Sequence, residues 1–101
     1  MHGVLITFDC AASIDDLTAP FTEYAAALQS QPGFISKAWV STETGYGGFH
    51  IFTDRISADG YLGSELAAGL MATDGFDNFH VRHFGVLDEL SAMTGVHPVS
   101  A

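Results

Sequence analysis

The sequence predicts an α+β domain with the element order β-α-β-β-α-β. Three observations predict it: four short segments of strand composition, two stretches carrying a helical apolar stripe, and Gly/Pro punctuation between them.

Residues 3–9 (GVLITFD) are β-branched and aromatic and read as the first strand. Ser13 and Asp16 have the spacing of a capping box, which starts a helix near Ile14. Pro20 conflicts with that start, because a proline inside a helix removes a backbone donor. In the alternative, Thr18 caps the helix and Pro20 falls in its first turn, where it is tolerated. With either start Leu17, Phe21, Tyr24, Ala25 and Leu28 share one stripe, and Pro32-Gly33 ends the helix. Residues 34–42 (FISKAWVST) and 48–53 (GFHIFT) are the second and third strands, with ETGYG as the hairpin loop between them. Asp54 or Ser57 caps a second helix carrying Ile56, Ala58, Tyr61, Leu62 and Leu66. Gly60, Gly63 and Gly69 weaken it by roughly 1 kcal/mol each against alanine, so it is short, broken or closely packed. Residues 79–87 (FHVRHFGVL) are the fourth strand, and 96–101 form a C-terminal tail expected to be disordered. The order is the ferredoxin-like split pattern, with an antiparallel four-stranded sheet in a single domain over residues 1–95.

Composition narrows the function. The chain has 101 residues, of which 48% are hydrophobic and 12% aromatic against 15% charged, and eight are Phe. So many rings exceed what one small core hides, and some must line a pocket or a subunit contact. The formal charge is −9, with Lys37, Arg55 and Arg82 the only lysine and arginines. That excludes the positive patch needed for nucleic acid or for an anionic membrane surface. No apolar run is long enough for a membrane span, and the opening MHGVLITFDC lacks a basic leader, so a cytoplasmic location is expected. The lone Cys10 excludes an internal disulfide. His80 and His83 stand three apart in a strand, hence on opposite faces, and no metal site is expected. His2 and His97 fall near the two ends and read as solvent-exposed.

Strand parity sorts the faces. Val4, Ile6 and Phe8 are expected against the helices, together with Ala38, Val40, Phe49, Ile51, Phe84 and Val86. The open face then carries Leu5, Thr7, Lys37, Trp39, His50, Phe52, Val81 and His83, since an unpaired Lys37 does not belong in a core. Such an uncovered apolar face needs a partner, and a second copy of the chain supplies one, with a shared cavity between the two sheets.

The segments QPGFISKAW, GYGGFHIFTDRISADGYL and FGVLDELSAMTG resemble the YdhR-like mono-oxygenase family, a branch of the dimeric α+β barrel superfamily. Pro32, Gly33, Phe34, Lys37 and Trp39 match its first motif. Gly47, Gly48, Phe49, His50, Ile51 and Phe52 match its second, and Ser57, Ala58, Tyr61 and Leu62 its third. The resemblance implies a dimeric α+β barrel, a homodimer, and oxygenation of a small aromatic or polyketide-like compound without a cofactor. Many relatives carry Tyr where this chain has His50, so a phenol's role there passes to an imidazole.

On that reading His50 is the base or hydrogen-bond donor and Lys37 stabilises the resulting anion. Trp39 and Phe52 clamp a ring, with Leu5, Thr7, Val81 and His83 lining the site. The competing readings are a non-catalytic dimer that binds a small apolar ligand, and a non-oxidative cyclase or isomerase. An ion pair of Lys37 with Asp9 or Glu43 is the structural alternative for that lysine.

Overall fold

The computed structural model describes residues 1–97. Its elements are β1 (His2–Asp9), α1 (Ile14–Leu28), β2 (Phe34–Ser41), β3 (Gly45–Phe52), α2 (Arg55–Leu62), α3 (Glu65–Met71), β4 (Asp77–Gly85) and α4 (Asp88–Met93). The strands form one antiparallel sheet in the order β2-β3-β1-β4, the ferredoxin-like arrangement, with β3 and β1 in the centre.

Local chemistry accounts for the element boundaries. α1 begins at Ile14, as the Ser13/Asp16 spacing predicts, although the Ser13 hydroxyl donates to the Asp16 carboxylate rather than capping a backbone amide. Pro20 lies inside α1 and faces outward, while Leu17 and Leu28 anchor the helix to the core. The glycine-weakened second helix divides in two. α2 is capped by Asp54, whose carboxylate accepts from the Ser57 amide at 2.8 Å. Gly63 ends it, and Ser64 caps α3 by accepting from the Ala67 amide at 3.3 Å. Ile56, expected on the inner stripe, is instead 83% exposed, whereas Ala58 and Tyr61 are buried.

Two boundaries differ from expectation. β3 starts at Gly45, so Gly45 to Gly47 are strand rather than loop. A Cβ on Gly47 would lie 2.2 Å from the Ile6 carbonyl oxygen, so this glycine serves close strand approach rather than turn freedom. The chain after β4 forms α4, a helix not foreseen, with Asp88 and Glu89 favourably placed in its first turn. Residues 98–101 of the expected tail lie outside the described residues.

The core joins Val4, Ile6 and Phe52 of the sheet to Leu28, Ala58, Tyr61 and Ala67 of the helices. Register fixes which residues share this helix-covered side. Val4 pairs with His50 and with His83, Ile6 with Gly48 and with Val81, and His50 with Lys37. The expected grouping of Lys37, Trp39, His50, Phe52, Val81 and His83 on one face therefore holds, but that face is the one beneath the helices. Leu5 and Thr7 project from the opposite side, with Ala38, Val40, Phe49, Ile51 and Phe84. The expectation failed because it barred an unpaired lysine from a covered face, and the surroundings of Lys37 remove that bar.

Candidate active site

Lys37 crosses from β2 over its neighbour β3 at Gly48. A Cβ there would sit 2.2 Å from Lys37 Cε, and 3.2 Å from both Lys37 Nζ and His50 Cε1. The missing side chain at Gly48 is thus the groove that the lysine stem occupies, and it brings the amine beside the imidazole. Lys37 Nζ rests 3.4 Å from the centre of the Trp39 ring and 5.0 Å from that of Tyr24. Aromatic faces stand where water or a carboxylate would otherwise serve the cation. Among the described residues no acid pairs with Lys37, so the ion pairs with Asp9 or Glu43 are not formed. Asp9 instead accepts from Thr44 and Asn78.

Burial lowers the Lys37 pKa from its usual value to about 7. His50 is 1% exposed, and its pKa is lowered to about 4, first by burial and then by the charge of Lys37. Its Nδ1–H donates to the Val4 carbonyl at 3.2 Å, since a carbonyl can only accept. That fixes the tautomer and leaves Nε2 as a lone-pair acceptor, buried and without a hydrogen-bond partner among the described residues. Tyr61 packs against the imidazole at 5.3 Å between ring centres and is hydrogen-bonded to the Tyr24 hydroxyl at 2.5 Å. Burial raises the pKa of both phenols, so they stay neutral.

The two groups line a narrow pocket walled by Ile6, Phe8, Phe21, Tyr24 and Leu70. Phe21, Tyr24 and Leu70 also border a wider cleft of about 550 Å³ between α1 and α3, lined further by Leu17, Leu66 and Phe76. That volume is in the range of small-ligand sites, and its lining is mainly apolar with few polar groups.

The sequence-derived site divides on this geometry. Lys37, His50 and Trp39 meet in the pocket. Phe52 is fully buried between Phe34 and Tyr61, a core residue with no surface to offer a ligand. Leu5 and Thr7 face the other way. Val81 and His83 share the face of His50 but sit on the edge strand β4, outside the pocket, where His83 is hydrogen-bonded to His2 at 2.8 Å. The expected cavity between two copies is therefore not where Lys37 and His50 point, because helices of the same chain cover them. Phe21 and Tyr24 were legible only as a helical stripe, and Gly48 only as part of a motif. The signal that could have singled out Gly48 is a side-chain-free position directly across from a lysine-bearing strand.

A family model described as "Putative mono-oxygenase ydhR" matches residues 4–97, and the chain belongs to that family. No curated protein matches the chain. Among solved structures, SnoaB, a cofactor-independent oxygenase from Streptomyces nogalater, is similar with a TM-score of 0.68 at 16% identity, covering 88% of this chain and 95% of its own. The heme-degrader MhuD from Mycobacterium tuberculosis, with two hemes bound in its active site, gives 0.67 at 16% identity over 86% and 96%. A dimeric ferredoxin-like protein of unknown function from Jannaschia sp. CCS1 gives 0.64 at 17% over 84% and 98%. At these identities the likeness establishes the fold. Among the described residues, no helix is long and apolar enough to cross a membrane, and no group of three or more metal-ligating side chains is present.

The depressed Lys37 pKa makes a stability prediction. The folded state holds this proton less tightly than the unfolded chain, so between about pH 7 and the ordinary lysine value the unfolded chain binds more protons, and stability rises with pH. Below pH 7 both states are protonated and the full penalty applies. Lys37→Met should raise stability at pH 6 by about 2 kcal/mol or more, each pKa unit being worth about 1.4 kcal/mol. It should also flatten the rise between pH 7 and 10. Urea denaturation of both proteins across that range checks this, and parallel pH profiles would contradict it.

Proposed function

We propose that this chain is a cofactor-independent oxygenase for a small phenolic or enolic aromatic compound, and that the compound lies in the cleft between α1 and α3. The observation that carries the reading is the buried amine and imidazole behind Phe21, Tyr24 and Leu70, the three side chains that their pocket shares with the apolar cleft. It fits the mono-oxygenase family of the chain and the fold likeness to SnoaB, a cofactor-independent oxygenase.

The roles follow from the two pKa values. His50, held at about 4, is too weak a base to keep a phenol's proton at neutral pH, and its Nε2 instead accepts a hydrogen bond that aims the hydroxyl. Lys37, at about 7, is the stronger base of the pair. Its neutral form takes the proton, and the ammonium so formed lies beside the new oxyanion, where the desolvated pocket strengthens the attraction. The electron-rich anion reacts with molecular oxygen; one oxygen atom enters the ring carbon and the other leaves as water as a methylene becomes a carbonyl. Trp39, Phe21 and Tyr24 supply the flat apolar walls, with the Phe21 and Trp39 rings 5.0 Å apart and tilted by 34°.

The opposite face of the sheet supports a homodimer. Leu5, Val40, Phe49 and Phe84 form an apolar surface there, on the side away from Leu28, Ala58, Tyr61 and Ala67 of the helices, and Val40 is 38% exposed. A second copy placed sheet to sheet would bury it, with the two sites remaining on the outer, helix-covered sides.

Incubating the protein with an anthrone should form quinone above the buffer rate, with uptake of one O₂ per turnover. Lys37→Met should lower the rate by on the order of 10²–10³, as loss of a proton-transfer group does. No rate above buffer, or full activity in that variant, overturns the proposal. For the assembly, wild type should sediment as a dimer, and Leu5→Asp should yield a folded monomer by circular dichroism and sedimentation. A monomeric wild type would refute the dimer.

A further inference from the structure

Gly69 stands inside α3 without the structural reasons that keep a glycine in a helix. Its backbone is not in the left-handed region, and a Cβ built on it meets nothing within 4 Å. Helix propensity alone therefore favours alanine there. Gly60 of α2 is equally unconstrained, but the two differ in location. Gly69 lines the cleft of about 550 Å³ between α1 and α3, and Gly60 does not. Leu66, Leu70 and Thr73, one turn to either side of Gly69, line the same cleft, so this is the face that α3 turns toward Phe21 and Tyr24 of α1.

The polar groups of the cleft are also distinctive. The Thr73 hydroxyl donates to the Gly69 carbonyl at 2.9 Å, and the Tyr24 hydroxyl is bonded to that of Tyr61. Among the described residues the charged side chains of the lining are both carboxylates, Glu65 at the start of α3 and Asp74 just beyond its end. Both are exposed, and neither is paired with a cation among the described residues.

We infer that Gly69 sets the width of this cleft, and that the cleft selects an uncharged apolar ring compound over an anionic one. A side chain at position 69 projects from the α3 face that borders the cleft and takes volume from it. An anion entering the cleft brings its charge between Glu65 and Asp74 and finds no lysine or arginine in the lining. The formal charge of −9 on the whole chain opposes it further. An uncharged ring meets the apolar walls without either penalty. The inference rests on the cleft being the substrate site of the proposed oxygenase, and it adds which compounds that site admits.

The test is equilibrium binding of two matched fluorescent probes, with no turnover involved. N-phenyl-1-naphthylamine is uncharged, and anilinonaphthalene sulfonate carries the same rings with a sulfonate added. The full chain should bind the neutral probe more tightly by about fivefold or more, the scale of a close contact between like charges in water. Glu65→Gln with Asp74→Asn should narrow that gap. Gly69→Leu should weaken the neutral probe by about tenfold or more, because the new side chain takes apolar contact area from it. Displacement by 1-naphthol, which lacks the phenyl group, should weaken less. Gly60→Leu makes the same exchange in a helix away from the cleft and should leave both affinities unchanged, with circular dichroism checking that each variant folds. Gly69→Ala should raise the melting temperature by about 4–8 °C, the gain expected from propensity alone. No binding by wild type, unchanged affinity in Gly69→Leu, an equal loss in Gly60→Leu, a preference for the sulfonate, or a lowered melting temperature in Gly69→Ala overturns the inference. Expected binding without quinone formation from an anthrone would remove the oxygenase reading alone. Quinone formation with unchanged binding in Gly69→Leu would remove this inference alone.

Discussion

The site depends on one packing event, the passage of the Lys37 side chain over Gly48 onto the face of Trp39. Without a Cβ at Gly48 the stem has a groove, and without the indole the ammonium would have no favourable neighbour on a helix-covered face. Once the amine is there, the rest follows electrostatically. Burial, and then the charge of that amine, keep His50 neutral, the Val4 carbonyl selects the imidazole tautomer, and Nε2 is left as a buried acceptor without a partner among the described residues. The Tyr24–Tyr61 hydrogen bond ties α1 to α2 beside this pair, so the helices that cover the site are fixed to each other by neutral groups.

Such a site is costly to hold, and the fold offsets the cost nearby. Val4, Ile6, Phe52 and Tyr61 form a fully buried centre next to the pocket, while Phe8, Phe76 and Phe79 stack at its far end, at 4.6 and 5.0 Å between ring centres. The cleft between α1 and α3 lies on the α3 side of the break at Gly63, lined there by Glu65, Leu66, Gly69 and Leu70.

Much of this was legible in the sequence. The strand segments, the start of α1, the Asp54 cap and the glycine-weakened second helix all follow from local chemistry, because each depends on neighbours within a few residues. Parity also grouped Lys37, Trp39, His50 and Phe52 correctly, since the period of a strand is local too. What parity could not decide was the side on which the helices lie. Both faces of this sheet carry apolar residues, Val4, Ile6 and Phe52 on one and Leu5, Phe49, Ile51 and Phe84 on the other. The usual contrast between a greasy and a polar face therefore vanishes. The choice fell on Lys37, and its compensation lies in Gly48 and Trp39, a cross-strand contact visible only once register is known. The division of the site into Lys37, His50 and Trp39 inside, Phe52 in the core, and Leu5 and Thr7 on the far face has the same cause.

The environment of Lys37 can be measured directly, because the chain has a single lysine. Protein labelled with ¹⁵N at the lysine side chain gives one ε-nitrogen resonance, and its titration reports the amine alone. A midpoint near pH 7 is the result expected of a desolvated amine on an aromatic face. A midpoint at the ordinary value near 10.4 would mean that Lys37 reaches water and that the pocket is not built around it.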